Sequence, residues 1–165
     1  MFGSNGESLD LGTSPVENAV GGSSSDIITG GSAKNTLSGG PGGSDELSDY
    51  GGTNGSAVSN PALPDLPASD DTYKGFTSGT GLDRVFDVEG TADKLDFRPL
   101  ESTEVSFETT NLDISGPDES LKIVINDTTS VLVVGHFSPI FPQDNGCMEQ
   151  IIFSNEVVTS AASMM

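Results

Sequence analysis

Acidic and amide side chains follow pairs of glycines at a nearly constant distance in the first part of the chain. Asp26 and Asn35 are each the sixth residue counted from the first glycine of such a pair, and Asp45 is the seventh. Gly-Gly pairs begin at residues 21, 30, 39 and 51, and the first two intervals are nine residues each. A carboxylate or amide oxygen beside the carbonyl groups of a glycine turn supplies the oxygen ligands that Ca²⁺ requires. The spacing therefore predicts calcium-binding turns.

The same register places an aliphatic residue near the end of each repeat. These residues are Ile28, Leu37, Leu47 and Val58. A nonapeptide of this kind forms a glycine turn of about six residues and a strand of about three. Stacked copies then bury the aliphatic side chains in a thin, continuous core. We expect short stacked strands to position the turns.

The second half of the chain repeats part of this pattern and adds other strands. Asp83 follows Gly79-Thr80-Gly81-Leu82, and Asp93 lies in a looser copy that begins at Gly90. No stretch has a helical period with caps, and alternating β-branched and aromatic residues favour strands. The predicted strands are Arg84–Val88, Lys94–Phe97, Val105–Glu108, Leu121–Asn126, Val131–Val134 and Ile151–Ser154.

The nonapeptides resemble GGxGxDxUx, the calcium-binding repeat of the RTX (repeats-in-toxin, haemolysin-type) secreted bacterial proteins. Asp71-Thr72-Tyr73 resembles the tripeptide that often closes such an array, and residues 148–154 resemble a strand of haemolysin-type C-terminal domains. The stretch from Val16 through Gly40 resembles the start of the β-roll in the C-terminal domain of serralysin-type secreted proteases, and the resemblance to the family as a whole covers roughly residues 16–158. It implies an all-β fold, in which a short parallel β-roll of degenerate repeats precedes a β-rich part with antiparallel strands.

The resemblance also implies where calcium binds, because two nonapeptides complete one coil of the family's roll. Asp26 then shares a site with Asp45, whereas Asn35 faces the fourth repeat and lacks an acidic partner. Asp83 and Asp93 belong to later turns, and we expect one to three sites weaker than those of an intact array. The glycines carried over as metal-site residues are Gly22, Gly31, Gly40, Gly79 and Gly81.

Changes in composition divide the chain into segments. We expect an N-terminal extension at 1–15, the degenerate roll at 16–59 and a proline-rich linker or loop at 60–70. The β-rich part then covers 71–158, and a flexible tail covers 159–165. The small, apolar end of the chain fits the uncleaved C-terminal export signal of the family.

The charge balance excludes several classes of partner. Asp and Glu number 25 against 6 Lys and Arg, which gives a formal net charge of −19. Phosphate backbones and anionic membranes should repel such a chain, and no run of about 18 apolar residues predicts a membrane span. Self-repulsion on this scale requires either disorder or bound cations. The single cysteine, Cys147, excludes an intrachain disulfide.

Three functions remain open from the sequence. The resemblance implies a non-catalytic, secreted calcium-binding domain that folds with Ca²⁺ after type I export. We expect it to be a monomer, with an attached or separate catalytic or adhesin domain as partner. The first alternative is a metal-independent structural or adhesive module. The second is a hydrolase that uses His136, the only histidine, although no zinc-binding motif or second histidine accompanies it.

Overall fold

The computed structural model describes most of the chain, namely residues 6–12, 18–31, 34–48, 70–76, 81–87, 92–111, 120–134, 136 and 148–158.

Thirteen strands and one short 3₁₀ helix form the described part of the fold. The 3₁₀ helix covers Ser102–Glu104 and lies between β8 and β9. The strands are β1 (Ser8–Gly12), β2 (Asn18–Val20), β3 (Ile27–Gly31), β4 (Thr36–Ser38), β5 (Glu46–Ser48), β6 (Thr72–Lys74), β7 (Gly81–Phe86), β8 (Lys94–Asp96), β9 (Ser106–Thr110), β10 (Ser120–Asn126), β11 (Thr129–Val133), β12 (Gln150–Ile152) and β13 (Val157–Val158).

The strands form two sheets between which the chain alternates. The seven-stranded sheet has the order β1-β3-β5-β7-β11-β10-β9, and the six-stranded sheet has the order β13-β12-β8-β6-β4-β2. From β1 to β8 each strand lies in the sheet opposite to its predecessor, and neighbours within a sheet are parallel. β9, β10 and β11 pair antiparallel, as do β12 and β13. The predicted all-β fold with parallel and antiparallel strands is confirmed.

Each three-residue strand contributes one inward-facing residue to the core between the sheets, whereas β10 and β11 contribute two each. Side chains alternate across a strand, so the middle residue of a three-residue strand points inward while its neighbours point outward. The inward residues are fully buried and include Ile28, Leu47 and Val85 in one sheet and Leu37, Tyr73 and Leu95 in the other. Burial of the predicted Ile28, Leu37 and Leu47 is confirmed, and Val58 lies outside the described residues.

The glycine turns allow the coils to approach closely. Gly40 has a φ of +105°, and a Cβ atom there would lie 2.2 Å from the carbonyl oxygen of Gly22 in the preceding coil. An L side chain would meet both a strained backbone and a steric clash at this position. The Gly-Gly pairs are therefore needed for stacking.

The strands on either side of the proline-rich segment pair directly with each other. β4 pairs with β6, and β5 pairs with β7, although 23 residues separate β5 from β6. The N-terminal extension contains β1, which pairs with β3. The proline-rich segment, the fourth repeat and residues 159–165 lie outside the described residues.

Aromatic side chains close the C-terminal end of the core. Phe97 stacks on Phe153 with ring centroids 5.7 Å apart, and Phe107 meets the edge of Phe153 at 6.5 Å. Ser102 and Asn155 join the two segments through two hydrogen bonds. In the described part of the chain, no helix is long and apolar enough to cross a membrane.

Candidate functional site

Carboxylates stack into a column along one edge of the roll, where the chain enters the seven-stranded sheet. The backbone N–H of Asp26 donates to Oδ1 of Asp45, and the N–H of Asp45 donates to Oδ1 of Asp83, both at 2.9 Å. The N–H of Glu7 donates in the same way to Oδ1 of Asp26. We call this column, Glu7-Asp26-Asp45-Asp83, the first ladder. It links each coil to the next through one carboxylate.

A second ladder runs along the opposite edge, where the chain enters the six-stranded sheet. The N–H of Asn35 donates to Oδ1 of Asp71, and the N–H of Asp71 donates to Oδ1 of Asp93, both at 2.6 Å. The N–H of Asp93 donates to Oε2 of Glu149 at 2.7 Å. The second ladder is therefore Asn35-Asp71-Asp93-Glu149, and it contains one amide among three acids.

The same side chains also close their own glycine turns. Oδ2 of Asp26 accepts the N–H of Gly22 at 2.6 Å, and Oδ1 of Asn35 accepts the N–H of Gly31 at 2.5 Å. Each donor lies four residues before its acceptor. The sixth residue of the repeat thus has two structural tasks, one within its turn and one between coils. Asparagine can perform the task within the turn, since its Oδ1 still accepts the glycine N–H.

Serine side chains connect the coils in the opposite direction beside the first ladder. Oγ of Ser25 accepts the N–H of Ser44 at 3.0 Å, and Oγ of Ser44 accepts the N–H of Leu82 at 3.1 Å. Here the later coil donates to the earlier one, whereas in the carboxylate ladder the earlier coil donates. This contact was not expected from the sequence. Its signal was a serine directly before both Asp26 and Asp45.

The structure brings some of the expected site residues together and separates others. Asp26 and Asp45 are neighbours, as the resemblance implied. The expectation that Asn35 faces the fourth repeat without an acidic partner is wrong, because β4 pairs with β6 and so places Asp71 beside Asn35. Asp83 and Asp93 lie in different ladders.

Several ladder members were not expected from the sequence. Asp71 and Glu149 lie in the two short motifs that carried the resemblance outside the repeats, but neither was assigned to a site. Glu7 lies one residue before β1, in the same place as Asp26 before β3. Among the expected glycines, Gly81 has a φ of +138° and lies close to Gly43, while Gly79 is outside the described residues.

Burial and stacking disfavour ionisation of four ladder acids. The pKa of Asp45 is raised to about 6 by burial and by the charges of Asp83 and Asp26, against the lowering effect of the hydrogen bond from the N–H of Asp26. Burial raises the pKa of Asp93 to about 7, with contributions from Glu149, Asp71 and Asp70. Burial also raises the pKa of Asp83 and of Glu149. Like charges held in a column favour either a proton or a bound cation.

The ladders offer the donor types that Ca²⁺ prefers. Their carboxylates and the amide of Asn35 present oxygen atoms, and the close approach of Gly40 to the carbonyl groups of Gly21 and Gly22 adds backbone oxygens near the first ladder. The carboxylates nevertheless already accept backbone N–H groups. Among the described residues, no group of three or more His, Cys, Asp or Glu side chains is arranged to hold a metal ion. Coordination would thus need carbonyl oxygens as well as carboxylates.

His136 occupies a buried position near the C-terminal end of the roll. Its side chain is 2% exposed, and its Nδ1 accepts the N–H of Met148 at 3.2 Å. Burial lowers the pKa of His136 to about 4, so the imidazole is neutral at pH 7. Cys147 lies outside the described residues.

No family model matches the chain, and no curated protein matches it. The function is therefore inferred from the two ladders and from the turns that carry them.

Proposed function

We propose that this chain is a non-catalytic calcium-binding β-roll domain of a secreted bacterial protein. The observation that carries the proposal is the stacking of carboxylates, all buried except the half-buried Glu149, along both edges of the roll. Asp26, Asp45 and Asp83 form one such column, and Asp71, Asp93 and Glu149 form the other. A chain that places buried like charges one above another needs an opposite charge to stabilise them.

The residues that would hold the ion are the ladder carboxylates and the carbonyl groups of the adjoining glycine turns. When bound, Ca²⁺ supplies the positive charge that offsets repulsion between the carboxylates. The chain itself provides the turn geometry, since Gly22 and Gly31 donate to the acid or amide that closes each turn. The carboxylates are thereby held in place before any ion binds.

Binding and folding are linked in this proposal. The ladders exist only when the coils are stacked, so the unfolded chain lacks the sites and the ion stabilises the native state by mass action. Where calcium is scarce, as in a bacterial cytosol, repulsion within a chain of net charge −19 favours loose conformations. Outside the cell, calcium would favour the stacked roll. The resemblance of the nonapeptides to RTX repeats supports the type I export route.

A calcium titration of two charge-matched variants tests the proposal. The first variant, D26N/D45N/D83N, removes three carboxylates from the first ladder but keeps acceptor oxygens. The second, E108Q/D127N/E156Q, removes three carboxylates from exposed positions. We expect calorimetry and far-ultraviolet circular dichroism to detect calcium binding and gain of β structure in the wild type and the second variant, but strongly weakened responses in the first. Equal responses of both variants would overturn the assignment of the first ladder.

A metal-independent structural or adhesive solenoid is the second candidate. The observation that favours it is that the ladder side chains already accept hydrogen bonds from backbone N–H groups. The carboxylate of Asp26 accepts two, one on each oxygen. In that case the wild-type spectrum and the free energy of unfolding would be the same in calcium and in chelator. The same titration therefore separates the two candidates.

A further inference from the structure

Basic side chains lie close together on the outer surface of the six-stranded sheet, although acidic residues outnumber basic ones in the chain. Lys74 at the end of β6 is exposed, Lys94 at the start of β8 is half-buried, and the side chain of Arg98 just after β8 is 59% exposed. Tyr73 and Leu95 point into the core, so Lys74 and Lys94 point to the outer surface. These three residues define what we call the basic face. They are half of the six Lys and Arg residues in the protein.

The two lysines of the basic face are free of internal ion pairs among the described residues. No carboxylate of that part of the chain lies within 4.0 Å of either ammonium group. Acids outnumber bases 25 to 6, so most cations could find a carboxylate partner if stability alone placed them. Asp96 lies opposite Lys74 in the sheet but forms its ion pair with Arg98, so both ammonium groups are available to an external anion.

Asp96 reports the local electrostatic environment of this face. Its carboxylate forms a two-pronged ion pair with Arg98, with Oδ1 2.8 Å from Nε and Oδ2 2.5 Å from Nη2. The hydrogen bonds from Arg98, followed by the charges of Arg98 and Lys74, lower the pKa of Asp96 against the effect of burial. The pKa values of four ladder acids shift in the opposite direction and are raised; these acids are Asp45, Asp83, Asp93 and Glu149. The basic face therefore stabilises a carboxylate despite the net charge of the chain.

We propose that the basic face docks an extended acidic peptide segment of a partner protein. Thr72 is opposite Lys94 and Lys74 is opposite Asp96, so Lys74 and Lys94 are diagonal neighbours about 7–8 Å apart. In an extended peptide, alternate side chains on one side are about 6.6 Å apart. Carboxylates two residues apart can thus reach both lysines. Flanking hydroxyl groups of Thr36 and Thr72 lie in the same outward row as Lys94.

Other polyanions fit the basic face less well. Nucleic acids would meet strong repulsion from the rest of the molecule, and the outward residues of the described strands in this sheet include no aromatic side chain on which bases could stack. Screening at about 0.15 M salt, with a Debye length of about 8 Å, limits repulsion between a short peptide and distant acids. Direct contacts with the lysines persist under these conditions.

Fluorescence anisotropy with synthetic peptides tests the proposal on the full chain in calcium. The probe is a labelled peptide of alternating Glu and Thr, compared with a Gln-Thr peptide and with a peptide that has the same Glu content in one block. We expect the alternating peptide to bind and K74Q/K94Q to weaken its binding by about tenfold. The charge-matched control K34Q/K122Q should change its affinity by less than about twofold.

Each other result would overturn the proposal. Absence of wild-type binding would do so directly. Equal losses of peptide affinity in the two variants would show that the overall charge of the protein, and not the basic face, determines binding. If neither variant lost affinity, the peptide would instead bind to the ladders through calcium ions. Equally tight binding of the block peptide would contradict the match in spacing. Tighter binding to polygalacturonate or to vesicles rich in phosphatidylserine, with the same sensitivity to K74Q/K94Q, would reject a peptide as the occupant.

Discussion

A single position in the nonapeptide carries most of the chemistry of this chain. The side chain there accepts a glycine N–H of its own turn and, in the ladders, the N–H of the neighbouring coil, as Asp26 shows. Either hydrogen bond can be accepted by an amide oxygen, so neither task needs a negative charge. The charge is therefore an additional property of Asp26, Asp45, Asp83 and Asp93. In our proposal its purpose is to bind a cation.

Replacing Asp45 by Asn separates the charge of this position from its hydrogen bonding. Because the pKa of Asp45 rises from 3.8 to about 6 on folding, its ionisation at pH 7 opposes folding of the metal-free chain. Asn retains an oxygen for the N–H of Asp26. We expect D45N to raise the free energy of unfolding in chelator by about 1 kcal/mol, a value reduced for solvent screening, and to weaken calcium stabilisation. Urea denaturation at pH 7 measures both effects.

Asp96 provides a control of opposite sign. Its pKa is lowered by Arg98, so its charge favours folding, and D96N should not stabilise the protein in chelator. If D45N were less stable than the wild type in chelator, the charge of Asp45 would not oppose folding. The comparison uses one amide substitution at each of two carboxylates, and only their surroundings differ.

The residue types at the ladder were partly predictable from the sequence. Asp26 and Asn35 could be identified because each is the sixth residue from a Gly-Gly pair, and Asp45 because it departs from this interval by a single residue. Asp71 and Glu149 have no such interval, since long connections precede β6 and β12. Their places depend on pairing between strands that are distant in sequence, and local patterns do not encode such pairing.

At the scale of the strands, stacking of inward side chains stabilises the roll. Leu47 in β5 is fully buried and lies between Ile28 of β3 and Val85 of β7 in the register of the sheet. The place of Leu47 in the repeat predicts its burial. Its neighbour Val85 could not be predicted in the same way, because 38 residues separate the two partners. Parallel pairing across such an interval leaves no short-range signal.

Shortening Leu47 tests the role of this core row. We expect Leu47→Ala to lower the free energy of unfolding in calcium by about 2–5 kcal/mol, because truncation leaves a cavity between stacked coils. Ile27 is the matched control, since it belongs to the neighbouring strand β3 but points outward and is 48% exposed. Ile27→Ala should change the free energy of unfolding by about 0.5 kcal/mol or less. Similar losses in both variants by urea denaturation would contradict the assigned inward and outward faces.

At the scale of the whole molecule, the charge is distributed unevenly. Buried acids occupy the two edges of the roll, and the cations of the basic face lie on the outer surface of one sheet. The sequence showed the excess of 25 acids over 6 bases but not this separation, since alternation along a strand and pairing between strands determine which charges meet. The edges and the basic face can therefore recognise ligands of opposite charge without competing for the same surface.

The ladders predict that the metal-free protein loses stability as pH rises from about 4 to 7. The pKa values of Asp45 and Asp93 are about 6 and about 7 in the folded chain, above the value of 3.8 for an unperturbed aspartate. Between these values the folded chain binds more protons than the unfolded chain, so the free energy of unfolding falls with rising pH. The raised pKa values of Asp83 and Glu149 act in the same direction.

Two described groups with lowered pKa values oppose this fall in stability with rising pH, whereas four acids with raised pKa values favour it. His136, with its pKa lowered to about 4, and Asp96, with a lowered pKa, favour stability at higher pH. Chemical denaturation in chelator at several pH values should therefore show a net decline towards neutral pH. Adding calcium at pH 7 should restore stability, because the ion replaces the protons lost from the ladders. A metal-free protein whose stability rises steadily from pH 4 to 7 would show that ionisation of the ladders does not oppose folding, and the electrostatic reason for binding a cation would be removed.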